Sequence, residues 1–208
     1  MRLISALWAD FHPFDNLPGV TDCVTAEEPD DLQAGDVLIV HGGGDIHPSL
    51  YGKGRSRMSG ADNAPNRRDR VEWALMKRAV ELGCPIIGIC RGAQMLCALA
   101  GGYLIQHVNG HSGMHHVQTN DGGVIPVNSI HHQMMQPQGT KHQLMAWAKS
   151  RLSDVYYDED KLVEVDVEPE YVYFNEIKGY APQWHPEMLS LEHPANRYIL
   201  QHITETIK

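Results

Sequence analysis

The stretch PIIGICRGAQMLCALAGG, residues 85–102, constrains this chain more than any other part of it. A short apolar run stops at a glycine, a cysteine stands between Gly88 and Gly92, and a helix-like pattern follows at once. A strand that turns so abruptly into a helix is half of a strand–helix–strand unit, whose strands pair in parallel. A second apolar run, DVLIVH at 36–41, has the unbroken hydrophobicity of a strand buried on both faces. Between the two, NRRDRVEWALMKRAVELG reads as a helix, with Val71, Leu75, Ala79 and Leu82 on one face and Gly83 as its stop. With RLISALWA as an earlier strand, the alternation predicts an α/β fold: a mostly parallel central sheet with helices on both faces.

From residue 103 to about 185 the pattern changes to short strand candidates divided by turn signals. YLIQHV, MHHVQT, VIPVN, HQLMAWA, KLVEVDV and YVYFNEI predict a smaller antiparallel portion, and HPANRYILQHITETIK predicts a closing helix. No internal repeat and no linker interrupts the chain, so residues 1–208 are expected to form a single domain. Pro182, just ahead of QWHPE, predicts an edge or bent strand there.

Charge and cysteine content narrow the function. Seventeen Lys and Arg against 26 Asp and Glu give a formal charge of −9, which argues against a nucleic-acid binder. No apolar run nears the roughly 18 residues of a membrane span, and the N-terminus lacks a secretory signal pattern. Four cysteines in 208 residues do not suggest a disulfide framework, so a reducing cytoplasm fits best.

Cys90 is the chemically pointed residue. In a tight turn of the form G-x-nucleophile-x-G, small flanks let the side chain project from the carboxyl end of the sheet. The N-terminus of the following helix favours the thiolate, the reactive form. The bland reading is a small buried cysteine packed between strand and helix, and Cys23, Cys84 and Cys97 are read that way. A thiolate needs a base and a group that orients the base. In PQWHPE, residues 182–187, Pro186 keeps His185 extended, and Glu187 is near enough to hold the imidazole. Cys90, His185 and Glu187 would make a Cys-His-Glu triad.

GICRGAQ together with QWHPE resembles the class I, triad-type glutamine amidotransferases. GGGDIHPSLYG at 42–52, the run from Arg67 to Val108, and VNSIHHQ at 127–133 are most similar to the gamma-glutamyl-gamma-aminobutyrate hydrolase branch. The resemblance implies a flavodoxin-like sheet and cleavage of a γ-glutamyl amide through a γ-glutamyl thioester. It implies Cys90 as nucleophile, His185 as general base and acid, and Glu187 as its orienting group. It further implies an oxyanion hole from the amides of Gly43, or its neighbour Gly44, and Arg91. Gln94, His131, His132 and Gln133 would border the substrate. No cofactor is expected. The partner is a small γ-glutamyl substrate, with ammonia delivery to a separate synthetase or ligase as the alternative, and a homo-oligomer is possible. Three features depart from the pattern: His41 stands where the family usually has proline, Pro182 breaks the strand, and residues 150–180 look unlike the family.

Other readings carry different signatures. HSGMHH clusters His111, His115 and His116, but no cysteine or carboxylate sits near at zinc spacing, so no metal is expected. The acidic run DEDKLVEVDVEPE reads as a solvated strand and turn, or as a docking edge for a basic partner. KGRSRM and NRRDR read as a solvated loop, or as a cationic lid over the site. A non-catalytic binding module would not need Cys90, His185 and Glu187 together, and an elbow-cysteine peptidase or redox protein would not carry QWHPE.

Overall fold

The computed structural model describes residues 1–207. In chain order the strands and helices are β1 (Arg2–Ala6), β2 (Asp22–Ala26), β3 (Val37–Val40), α1 (Arg67–Leu82), β4 (Ile86–Gly88), α2 (Arg91–Leu99), β5 (Tyr103–Ile105), β6 (His107–Val108), β7 (Ser112–Thr119) and β8 (Val124–Ile130). After them come β9 (Met134–Gln136), β10 (His142–Ala148), β11 (Tyr156–Asp158), β12 (Lys161–Leu162), β13 (Pro169–Phe174), β14 (Gly179–Pro182) and α3 (Pro194–Thr206). No helix among the described residues is long and apolar enough to cross a membrane.

Nine strands form one sheet in the order β2-β1-β3-β4-β14-β13-β10-β7-β8. The first five run parallel, and from β14 onward every pairing is antiparallel. The apolar runs alternate across this sheet as a two-residue period requires. Ile4, Leu38, Val40 and Ile86 pack on one side with Leu75, Ala79 and Leu96 of α1 and α2. Leu3, Val37, Ile39 and Ile87 pack on the other with Ile199 and Ile203 of α3. Helices therefore cover both faces, as the alternation predicted.

Helix α1 begins at an Asn66–Asp69 capping box and ends at Gly83 in the left-handed region. Its buried side includes two carboxylates, Asp69 and Glu72, beside Leu75, Met76 and Ala79. Buried carboxylates need partners, and both find one at the start of α2.

Several expectations need correction. Cys23 is exposed on β2, an edge strand whose residues alternate poorly, and is not a core residue. Pro182 lies in an interior strand, with β14 between β4 and β13. It is the last residue of β14, so its missing N–H interrupts no further pairing, and its carbonyl accepts from the Cys90 amide at 2.9 Å. KLVEVDV is strand only at Lys161–Leu162. The acidic run is not simply solvated, since Asp158, Glu168 and Glu170 are buried. Asp158 pairs with Lys53 at 2.7 Å, Glu159 accepts from the Gly54 amide at 2.5 Å, and Asp160 accepts from Ser56 and the Arg57 amide. The β11–β12 turn thereby clamps the long loop, with Glu159 and Asp160 both at positive φ.

Candidate active site

Four parallel strands end at the same place. β1 leads to Trp8 and Asp10, β3 to His41 and the glycines, β4 to Cys90, and β14 to His185. Open α/β sheets place their ligands outside these carboxyl ends. Cys90 sits between β4 and α2 with φ 49° and ψ −100°, a conformation an ordinary residue keeps only when its surroundings enforce it. The enforcement is visible. A side chain on Gly92 would run into the Val40 carbonyl, and one on Gly88 into the Gly92 carbonyl. The Cys90 amide is tied to Pro182, and the Cys90 carbonyl starts α2 by accepting from the Gln94 amide at 3.0 Å.

His185 is buried and its Nδ1 lies 2.7 Å from Glu187 Oε1, so Nδ1–H donates to the carboxylate and Nε2 is left for the thiol. Burial pulls the His185 pKa down, but the nearby Cys90 and Glu187 outweigh it and hold it at about 10. The imidazole therefore carries a proton at neutral pH. Asn128 of β8 fixes the His185 backbone from both sides: its Oδ1 accepts from the His185 amide and its Nδ2 donates to the His185 carbonyl, each at 3.0 Å. Asn128 lies within VNSIHHQ, where a polar residue following the apolar VIPV run is the signal for it.

Of the proposed oxyanion donors, Arg91 is the first residue of α2, and its amide has no intrahelical acceptor. Its side chain is buried and paired with Asp69 at 2.5 Å and with Glu72. Gly42 packs against the triad: a Cβ there would stand 2.6 Å from His185 Cε1 and 3.5 Å from Cys90 Cβ. Gly43 follows it, whereas Gly44 has open space around it. Gly42 and Gly43 wall a cleft of about 620 Å³ together with Trp8, Asp10, His41, Arg68, His185, Glu187 and Met188. His41, at the position of the family's proline, is anchored through Nε2 to Ser5 Oγ at 2.7 Å.

The remaining candidates lie elsewhere. Gln94 Nε2 and His131 Nδ1 both meet the Gln133 carbonyl, at 3.1 and 2.9 Å, and the Gln133 side chain donates to the Gln106 carbonyl. His132 reaches back to Asp45 of the glycine loop at 3.0 Å. None of these four walls the cleft at His185. Of the basic residues in KGRSRM and NRRDR only Arg68, in the first turn of α1, does, and Lys53, Arg57 and Arg67 are spent on Asp158, Asp160 and Glu27.

The histidine cluster acquires a carboxylate that local spacing hid. His111 and His115 turn to Glu170 of β13 at 3.0 and 3.1 Å, while His116 is exposed. Ring atoms of His111 and His131 and an oxygen of Glu170 lie within 4.8 Å of one another. The two rings are tilted by 35° with centroids 4.5 Å apart. Burial lowers the His111 pKa, yet Glu168 and Glu170 raise it more, to about 9. Burial raises Glu170, and the three imidazoles hold it well below the usual carboxylate range. A proton on His111 thus balances the buried carboxylate charge.

Comparison with known proteins places the chain in a family. A glutamine amidotransferase-like protein of Lactococcus lactis, YvdE, is 31% identical over 173 residues, covering 73% of this chain and 66% of that protein. The gamma-glutamyl-gamma-aminobutyrate hydrolase of Escherichia coli O157:H7 is 28% identical over 185 residues, 75% of this chain and 65% of that protein. This chain thus spans slightly less than two thirds of either relative. Among solved structures, the glutaminase domain of Trypanosoma brucei CTPS with bound acivicin superposes with a TM-score of 0.58 at 13% identity, covering 100% of this chain and 94% of that one. A glutamine amidotransferase from Thermotoga maritima gives 0.56 at 11%, covering 100% and 84%. These two likenesses bear on the fold. The Peptidase C26 family profile matches residues 27–187, a span that opens ahead of β3 and closes on Glu187. The chain belongs to the Peptidase C26 family, within the class I glutamine amidotransferase superfamily.

Proposed function

We propose that this protein hydrolyses a γ-glutamyl amide bond through a thioester on Cys90. One observation carries the reading: the strained Cys90 and His185, which Glu187 holds, stand just beyond the ends of two adjacent parallel strands. The Cys90 thiolate attacks the γ-carbonyl carbon, and the amides of Gly43 and Arg91 receive the oxyanion. His185 Nε2 gives its proton to the nitrogen as the C–N bond breaks, and the amine leaves. The neutral imidazole then takes a proton from water, hydroxide attacks the thioester carbonyl, and the C–S bond breaks to return thiolate and imidazolium. Because His185 lines the cleft, the leaving amine departs on that side. Four free cysteines suit a reducing compartment.

A second reading is ammonia supply to a separate synthetase. It is favoured by one feature: Trp8 and Met188, 53% and 61% exposed, give the cleft mouth an apolar rim that a partner would cover.

The test is amine release from glutamine and a panel of γ-glutamyl amines, with Cys90→Ala as control. Turnover of one amide by the parent alone, with a glutamyl adduct on Cys90 seen by mass spectrometry, supports the hydrolase. Turnover of glutamine only after a synthetase is added supports the second reading. Activity that survives Cys90→Ala sinks both.

A further inference from the structure

The proposed oxyanion donor Gly43 belongs to a peptide between two glycines. Such a peptide rotates easily, because neither residue restricts φ and ψ. Its orientation decides everything for an oxyanion. The C=O and N–H of a trans peptide point in opposite directions, so one rotamer offers the donor and the other turns the Gly42 carbonyl on the negative charge.

Arg68 holds that peptide. Its Nη2 donates to the carbonyls of both His41 and Gly42, each at 2.9 Å. With the Gly42 carbonyl drawn onto the guanidinium, the Gly43 N–H must face away from Arg68. Gly43 itself sits at φ 156°, and a side chain there would collide with Arg68 Nη1. Arg68 is fixed in turn, through Nε to Glu72 Oε1 at 2.8 Å, and Glu72 is fully buried. The same carboxylate pairs with Arg91, whose amide is the other proposed donor. Glu72 thus joins the two halves of the hole: through Arg68 to the glycine peptide, and through Arg91 to the first turn of α2.

We propose that Arg68 is a positioning residue for the oxyanion hole, locking the Gly42–Gly43 peptide with its N–H towards the carbonyl under attack. The proposal rests on the hydrolase reading above for its kinetic consequence, but not for its structural one. It assigns Arg68 a task distinct from steering a substrate carboxylate, because two of its three nitrogens are already spent on the loop and on Glu72.

Three proteins test it: the parent, Arg68→Lys and Arg68→Met, with γ-glutamyl-p-nitroanilide and glutamine as probes. Removing one oxyanion donor costs about 100- to 1000-fold in kcat. Arg68→Met is expected to lose about 100-fold in kcat with KM within about threefold, and Arg68→Lys to retain an intermediate rate. Alkylation of Cys90 by iodoacetamide forms no oxyanion, so its rate is expected to stay within about twofold of the parent. Added guanidinium is expected to restore activity to Arg68→Met and not to the parent. A kcat unchanged in Arg68→Met overturns the proposal. So does an alkylation rate that falls with kcat, since that places the damage at the thiolate. Crystal structures of the parent and Arg68→Met decide the matter even if the parent turns over neither probe. An unmoved Gly42–Gly43 peptide in the variant overturns the lock, whereas a rotated or disordered one supports it while the silent parent counts against the hydrolase.

Discussion

Glu72→Gln is the substitution whose cost the structure lets one work out. Glu72 is fully buried and faces Arg68 and Arg91, while Asp69, also buried, holds Arg91 from the other side. Two guanidinium and two carboxylate charges balance here. Glutamine keeps the shape of the side chain and removes one negative charge, leaving a net positive charge under the glycine loop. Breaking a buried pair by neutralising one partner costs about 3–5 kcal/mol. The lower end applies, since Arg91 keeps Asp69 and Arg68 is 22% exposed with two carbonyl acceptors left. With a urea m-value of about 2–3 kcal/mol/M, a loss of about 3 kcal/mol moves the unfolding midpoint down by about 1–1.5 M. Equilibrium urea unfolding followed by tryptophan fluorescence reads this directly. Turnover measured below the transition is expected to fall more in Glu72→Gln than in Asp69→Asn, which of the two arginines touches only Arg91. A midpoint shift under about 0.3 M would refute the charge accounting.

Other outcomes follow from the same contacts. Asn128→Ala removes both hydrogen bonds that seat the His185 backbone and is expected to slow turnover about 10- to 100-fold, a small displacement of a catalytic group being enough for that; a rate within threefold of the parent speaks against the role. His111 is raised from 6.5 to about 9, so its contribution to stability is complete below pH 6.5 and is lost as pH rises through 9. Glu168 is lowered from 4.5 to about 2, so its contribution is complete above pH 4.5 and fades as pH falls towards 2. Urea midpoints measured from pH 6 to 9.5 are expected to decline, and His111→Gln is expected to flatten that decline; an equally steep slope in the variant refutes the assignment. Asp160→Asn weakens the contacts to Ser56 and the Arg57 amide, and limited proteolysis is expected to cut faster between residues 53 and 60.

The parts of the fold that could be read ahead were those written in local periodicity. DVLIVH, PIIGI and the helix from Arg67 carry their pattern in consecutive residues, and the elbow around Cys90 announces itself by its glycines. β2 escaped because Asp22, Cys23 and Thr25 are exposed, and only Ala26 of its five residues is buried, so no apolar period marks it. The interior position of β14 is a matter of long-range pairing with β4 and β13, and a proline at its last residue looked like an interruption from inside the sequence. Glu170 stands 55 residues from His115, and Asn128 stands 57 from His185, so no local spacing could join either pair. Arg68 was visible only as one of several loop cations, because its meaning lies in two backbone carbonyls, which have no letter of their own.

The pairing of β4 with β14 has a consequence for how such a chain diversifies. Nucleophile and base leave the ends of neighbouring parallel strands, so their separation is inherited from the spacing of main-chain hydrogen bonds, about 4.8 Å between strands. Asn128 and Glu187 then only trim the placement of His185 within that spacing. The walls of the cleft come instead from residues 8–10, from Arg68, and from Met188, all outside the paired strands. Substitutions and insertions in those segments can redraw which amine is admitted while the path of the proton keeps its length.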